Sequence, residues 1–265
     1  MDPLILQIFT LVFAGLFGLI FGSFFNVCIY RIPRDKSIVW PGSFCPKCNT
    51  PIRWYDNIPV FSYLFLRGKC RKCKEPISLQ YPLVELLTGV LTVLFVWKNG
   101  LTLWSFVVLA AVYALIILSV IDLELMIIPD RFSLGLIVLG LAFAWCNPNF
   151  SGVWWQKEIA SLIGAAAGFL GVLALALIGT WAFKKEAMGG GDVKLMGGIG
   201  ALLGWEGVIT TVIMGSFFGL LYALYVMIRH GKKGGDAIPF GPFLSLGALV
   251  NFWYLIKPEM LLIQF

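Results

Sequence analysis

Histidine occurs once in the 265-residue chain, at His230, inside the basic stretch Arg229-His-Gly-Lys-Lys. One imidazole excludes an HExxH metal site and leaves a Ser-His-Asp triad without a plausible second member. Its setting marks His230 as a solvated loop residue. No P-loop is present, which removes the usual phosphate cradle of nucleotide hydrolases. Charge is also scarce: 13% of residues are charged, 59% are hydrophobic and the mean hydropathy is +0.89. That composition excludes an ordinary soluble domain. With histidine gone and water-facing chemistry limited, acid-base work falls to carboxylates.

What is abundant is long, uninterrupted apolar sequence. Such runs predict an all-α polytopic membrane protein, because a segment in lipid must satisfy its own backbone hydrogen bonds. About eight transmembrane helices are expected, near 4–29, 82–97, 102–121, 132–147, 158–182, 193–204, 207–228 and 238–256. The first run has no basic start or small-residue cleavage site and is read as a retained helix. The segment 193–204 is short for a full span, and Gly197, Gly198, Gly200 and Gly204 predict close approach of a neighbouring helix. With Met1 outside, seventeen of the twenty Lys and Arg fall on the inner side, leaving only Lys98, Lys157 and Lys257 opposite. The positive-inside rule therefore puts the basic loops in the cytoplasm. This charge meets anionic lipid headgroups and calls for no nucleic acid partner.

The large polar segment between the first two spans divides the chain into a first helix at 1–30, a cytoplasmic domain at 31–80 and a transmembrane domain at 81–265. The middle segment carries ten Lys and Arg against three acids. Cys45-Pro-Lys-Cys48 and Cys70-Arg-Lys-Cys73 lie in it, two CxxC pairs separated by twenty-one residues. Four thiolates on two knuckles suit a closed, structural zinc site resembling a zinc ribbon. Lys47, Lys69, Arg71, Lys72 and Lys74 offset its charge. Rubredoxin-type iron and paired redox dithiols are the alternatives. Cys28 and Cys146 lie in or beside apolar spans, where a free cysteine behaves as a small hydrophobe.

Acids forced into or next to the bilayer are costly and need a partner or a function. Glu85, Asp122, Glu124, Asp130 and Asp192 are of this kind. Asp122 ends the third span, in Leu118-Ser-Val-Ile-Asp122, and Asp192 opens the sixth, in Gly189-Gly-Gly-Asp192. The third helix runs inward and the sixth outward, so both carboxylates reach the cytoplasmic face. Two carboxylates close together cannot easily both ionise, which suits them to act as a proton-cycling pair, the arrangement of an aspartyl protease. The structural alternative has Asp192 capping the sixth helix and Asp122 paired with Lys194 or Arg131. Two other classes compete. An ion-coupled transporter would bind its ion at these aspartates but predicts inverted repeats, which the spans do not show. A membrane thiol redox protein would use the four cysteines and lose function on Cys48→Ser.

Several segments together resemble the type IV prepilin peptidases, GxGD aspartyl proteases of type IV pilus and type II secretion systems. They are Phe21-Gly-Ser-Phe-Phe-Asn-Val-Cys-Ile-Tyr-Arg31, the two CxxC pairs, Tyr81-Pro-Leu-Val-Glu85-Leu-Leu-Thr88, the stretch from Asp122 to Asp130, Gly189-Gly-Gly-Asp192-Val-Lys194 and Ile238-Pro-Phe-Gly-Pro-Phe243. The resemblance implies a bifunctional enzyme of the bacterial inner membrane with Asp122 and Asp192 as the catalytic pair and Asp130 outside it. It implies cleavage of the basic leader of a prepilin or pseudopilin on the cytoplasmic side, after a glycine. The new N-terminal residue, usually Phe, would then be methylated from S-adenosylmethionine. The chain has no GxGxxG after a strand and no soluble methyltransferase-like βαβ unit, so a methyl-donor site must be built from loops and helix ends. Glu85 and Lys194 are candidates for substrate or cofactor contacts, or else ion-paired bundle residues. The sequence does not locate the methyl donor. Any zinc is expected to support the cytoplasmic domain and to take no part in proteolysis.

Overall fold

The computed structural model describes residues 2–185, 188–230 and 238–261; the side chain of His230, expected to be solvated, lies outside that description. Among the described residues the regular structure is helical, with only two isolated β-bridges, Phe44 with Pro51 and Lys69 with Pro76. The main helices are α1 (Pro3–Arg31), α2 (Phe61–Phe65), α3 (Gln80–Asn99), α4 (Leu103–Leu125), α5 (Asp130–Ala142), α6 (Trp154–Phe183), α7 (Gly190–His230), α8 (Gly241–Trp253) and α9 (Pro258–Leu261). Five helical segments are long and apolar enough to cross a membrane: Pro3–Arg34, Gln80–Asn99, Leu103–Leu125, Trp154–Ala182 and Gly190–Arg229. Large apolar side chains stand exposed along them, such as Phe13, Ile20, Leu83, Leu177 and Leu220. In water these faces would be an untenable patch; in a bilayer they are the lipid contact. The protein is a multi-pass membrane protein.

Each of the eight expected segments overlaps a helix, but 132–147 runs past the end of α5 and 238–256 outruns α8 at both ends, and the segments are not equivalent. α5 and α8 have 13 residues each, about 20 Å of helix, short of the ~30 Å apolar core. The sixth and seventh expected spans fall within α7, which is interrupted at Gly204 by φ 74° and ψ 179°. Such a φ is open to glycine and poorly to other residues, so Gly204 is a hinge point between two helical stretches.

The chain divides into two compact units, Met1–Ser105 and Phe106–Phe265. In the first, α1 begins where Asp2 accepts the Leu4 N–H at 3.0 Å and Pro3 occupies the first turn. α1 packs on α3 through small residues one turn apart. A Cβ at Gly18 would lie 2.8 Å from the Gly89 Cα, and one at Gly22 would lie 2.6 Å from the Glu85 Cα. Between these helices, the cysteine segment folds as two matching knuckles, offset by twenty-five residues. In one the Cys45 N–H donates to Thr50 O and Asn49 N–H to Cys45 O; in the other the Cys70 N–H donates to Glu75 O and Lys74 N–H to Cys70 O. Asn49 and Lys74 both take a left-handed φ, the turn that brings each CxxC back on itself. Arg71 donates two hydrogen bonds to Asp56, at 2.7 and 2.6 Å, and holds that carboxyl below the usual carboxylate range.

In the second unit, α7 packs against α5, α6 and α8. The glycine seam expected on the sixth span is real at two positions. A Cβ at Gly200 would sit 2.0 Å from the Gly164 carbonyl oxygen, and one at Gly198 would sit 2.6 Å from the Leu136 Cβ. The partner glycines on α6 carry as much of this seam: a Cβ at Gly168 would lie 2.0 Å from the Met196 carbonyl oxygen. Leu195, Met196, Ile199 and Ala201 are fully buried along the same stretch.

Candidate active site and cysteine cluster

Asp122 stands in the last turn of α4 and is 5% exposed; Asp192 stands in the first turn of α7 and is 8% exposed. The second unit brings them within electrostatic reach of each other. Three local features produce this. After α4 the chain turns sharply, with Met126 at φ 55° and its N–H donating to Asp122 O. The start of α7 then presses on that turn: a Cβ at Gly191 would lie 2.8 Å from the Ile128 Cβ, so no side chain fits there. Finally, Gly241 at the start of α8 donates its N–H to Asp122 Oδ2 at 3.0 Å, and a Cβ on it would stand 2.9 Å from that same oxygen. A free N–H at a helix N-terminus is a natural partner for a carboxylate.

Asp192 is differently placed. Its N–H donates to Gly189 O at 3.1 Å, and its buried Oδ1 has no hydrogen-bond partner among the described residues. An unpaired acceptor in a dry site is costly unless water or substrate serves it.

The pairing of Asp122 with Lys194 or Arg131, the structural alternative, does not occur. Lys194 Nζ donates to both oxygens of Asp130 at 2.8 Å, on a half-exposed surface. Asp192 is not the cap of its helix, which begins two residues earlier at Gly190. Glu85 is buried in the first unit, accepting from the Val60 N–H at 2.7 Å and from Ser23, with no ion-pair partner among the described residues. Gly241 is the functional position that sequence reasoning left without a role. Its signal was a Gly-Pro pair opening a helix after an apolar motif, where the helix N–H groups have no internal acceptor.

The four cysteines Cys45, Cys48, Cys70 and Cys73 form one cluster, with all Sγ atoms within 4.8 Å of one another. Cys45 and Cys73 are 3.9 Å apart and Cys48 and Cys70 are 4.0 Å apart. A zinc tetrahedron with ~2.3 Å bonds has edges of about 3.8 Å, so these two pairs already stand near that spacing and the rest of the cluster, within 4.8 Å, would need to close in only slightly. Hydrogen bonds from Thr50 pull the Cys48 thiol down to about 6, and the backbone N–H groups of Cys73 and Lys72 lower Cys70. Cys73, although the Glu75 backbone bond lowers it, is pushed up to about 12 by desolvation and by the neighbouring thiols. The cluster therefore keeps a proton that a bound cation would expel.

A pH dependence follows. Cys48 gains its preference for the thiolate over an ordinary thiol across the window from about 9 down to about 6, complete above it and lost below. Metal taken up at pH 8 is expected to stay bound near neutrality and to be released progressively below pH 6, as ligands reprotonate. Metal content after gel filtration at stepped pH checks this; full retention at pH 4 would contradict it.

These elements define a class: a multi-pass helical membrane protein with a four-cysteine unit at its N-terminal end and a buried pair of aspartates in its second unit. The chain belongs to the type IV leader peptidase family. Residues 16–99 match the bacterial peptidase A24 N-terminal domain and residues 109–224 match the type IV leader peptidase family. The junction between the two matches falls where the compact units divide. The chain is 36% identical over 262 residues to a prepilin leader peptidase/N-methyltransferase of Pectobacterium carotovorum subsp. carotovorum, covering 89% of this chain and 90% of that protein. It is 35% identical over 278 residues to one from Neisseria gonorrhoeae, covering 95% and 93%. With one from Myxococcus xanthus (strain DK1622) it shares 37% over 267 residues, covering 96% and 78%. No solved structure matches the chain.

Proposed function

We propose that the chain is a bifunctional enzyme of the bacterial inner membrane, a prepilin leader peptidase and N-methyltransferase, with Asp122 and Asp192 as its proteolytic pair. What supports the proteolytic reading is that two buried carboxylates of one compact unit lie within electrostatic reach of each other, one served by the Gly241 N–H and one with an oxygen that has no partner among the described residues. The ionised member takes a proton from the attacking water, and the protonated member donates to the scissile carbonyl and then to the leaving amine. The Gly241 N–H serves the charged form of Asp122, leaving Asp192 Oδ1 to hold water or substrate oxygen. Substrates are prepilins or pseudopilins whose apolar helix lies in the membrane, with a basic leader cut after glycine at the cytoplasmic face. Eight membrane passages, with 31–80 in the cytoplasm, place the basic loops on that side and match anionic lipid there.

S-adenosylmethionine supplies the methyl group for the second reaction. The neutral amine of the new N-terminal residue, usually Phe, attacks the methyl carbon. The C–S bond breaks with its electrons to sulfur, and the amine releases one proton. Zinc suits the cysteine cluster as a structural ion; a closed four-thiolate site leaves no position for substrate.

The direct test is the purified protein in lipid with a membrane-embedded prepilin bearing a basic leader and a Gly-Phe junction. Leader release and mass gain of one methyl on the mature N-terminus are expected. No cleavage of several pilin-like substrates by well-folded protein would overturn the reading. Gly241→Ala keeps the N–H but adds a Cβ 2.9 Å from Asp122 Oδ2 and 3.1 Å from Ile128 Cδ1, which must push the carboxylate off that N–H. Cleavage is expected to slow about tenfold, the ~1.5 kcal/mol of one hydrogen bond to a charged group, with a lower melting temperature. Unchanged turnover in Gly241→Ala would mean that the fit of Asp122 against Gly241 does not govern cleavage.

A further inference from the structure

The proteolytic pair uses none of the buried polar groups of the first unit, and two of these carry charge. Arg31 closes α1 and is 5% exposed. Its Nη1 donates to Ser37 O at 2.8 Å and its Nη2 to Gly42 O at 3.1 Å. Those acceptors are neutral, and no carboxylate among the described residues pairs with it. A permanent guanidinium charge so buried, with donors beyond its two bonds, is chemically suited to an anionic partner. Glu85, 8% exposed, is the converse: its partners are the Val60 N–H and Ser23, with no ion-pair partner among the described residues.

The space between these groups is open. A cavity of about 360 Å³ is walled by Arg31 and by Ser23, the residue that hydrogen-bonds Glu85. Phe24, Ile38 and Val39 supply an apolar face, and Pro59 brings the wall to the residue next to Val60. The cavity thus offers a cation at one point, the hydroxyls of Ser23 and Ser43 and the amide of Asn57 at others, and an apolar surface beside them. A second cavity of about 340 Å³ shares Arg31 as a wall.

We infer that the Arg31 cavity is the methyl-donor site, with Arg31 binding the carboxylate of S-adenosylmethionine. This rests on the N-methyltransferase reading and deepens it. The donor combines a carboxylate, cationic ammonium and sulfonium groups and an apolar purine, and its size falls within the usual range for a cavity of this volume. Its carboxylate answers Arg31, its cations face the oxygens of Ser23, Ser43 and Asn57, and the purine lies on the apolar wall. All of the residues involved lie within Met1–Ser105, so methyl transfer and cleavage are separable by mutation.

The test uses full-length protein in nanodiscs, with donor binding read by ultraviolet cross-linking of methyl-labelled S-adenosylmethionine and by competition. S-adenosylhomocysteine keeps the amino-acid carboxylate; 5′-methylthioadenosine lacks it. Wild type is expected to prefer the first strongly. Arg31→Gln is expected to bind the donor about 10- to 100-fold more weakly, the range for a lost charged hydrogen-bonding partner, and to stop discriminating between the two competitors. Arg31 also ties down Ser37 and Gly42, so a second variant guards against misfolding. Gly42 lines the cavity and an added Cβ meets nothing within 4 Å, so Gly42→Trp puts an indole at the cavity wall without a backbone clash and keeps the carbonyl that Arg31 holds. It is expected to abolish donor binding and leave leader cleavage intact. Donor binding and discrimination unchanged in both variants would overturn the assignment, as when a lipid phosphate is the true partner of Arg31. Wild type that neither binds the donor nor methylates would instead overturn the methyltransferase reading beneath it.

Discussion

Asp122→Asn and Asp192→Asn are each expected to reduce prepilin cleavage by at least 100-fold, and toward 10⁴-fold, the range for loss of a positioned acid or base. The amide is nearly isosteric but cannot cycle a proton. Both side chains are almost fully buried, so the shape of the site survives the change. At Asp122 the Gly241 N–H keeps an acceptor if the amide oxygen takes the place of Oδ2. At Asp192 no existing partner of Oδ1 is lost. Both proteins should therefore express and melt like wild type. Given a pre-cleaved pilin, both should still methylate it, because no residue assigned to the methyl donor lies in Phe106–Phe265. Initial rates on full-length and pre-cleaved substrate at matched protein provide the check. Cleavage above a tenth of wild type in either variant would remove that residue from the pair, and parallel loss of methylation would point to one shared site.

Much of this site was legible in sequence because membrane insertion limits where a carboxylate can go. Asp122 and Asp192 each interrupt the polar edge of an apolar run, and helix direction alone put them on one face. The cysteine cluster was legible for a similar reason: two CxxC pairs have few ways to close, and the repeated turn after each, at Asn49 and Lys74, closes both alike. The partners were not legible. The sequence makes Lys194 a candidate partner of Asp122, and its pairing with Asp130 instead depends on how α5 meets the start of α7, a tertiary matter. The role of Gly241 depends on an oxygen 119 residues away. The glycines of the sixth span were seen as a packing surface, yet their counterparts Gly164 and Gly168 were not, since a small residue in an apolar helix gives no sign of which neighbour it will face. Gly204 shows the limit most directly: it belongs to the packing surface as expected, a Cβ at Gly164 falling 2.7 Å from its Cα, yet nothing in the sequence showed that it is also the backbone break in α7.

The glycine seam carries the second large expectation. Asp192 sits in the first turn of α7, and the depth and rotation of that turn are fixed by what α7 packs against below it. Along α6 the two backbones are close enough that a Cβ at Gly168 would fall 2.0 Å from the Met196 carbonyl oxygen, and one at Gly164 2.2 Å from the Gly200 carbonyl oxygen. These obstacles are main chain, so no rotamer change relieves them. Gly168→Leu must push α6 and α7 apart, at a cost above the 1–3 kcal/mol typical of overpacking, and must draw Asp192 from its place beside Asp122. The expected result is loss of monodisperse protein in detergent, or a melting temperature many degrees lower, with cleavage abolished although both aspartates are present. Gly171, on the same helix, has nothing within 4 Å of an added Cβ, and Gly171→Leu should cleave and melt like wild type. Because both variants add the same apolar bulk to the same helix, a difference between them isolates the seam. Equal stability and equal cleavage in the two would mean that α7 is held in register by something other than these contacts, with the buried bonds from Asn147 to Leu202 O and Ser161 to Ala201 O as the next candidates.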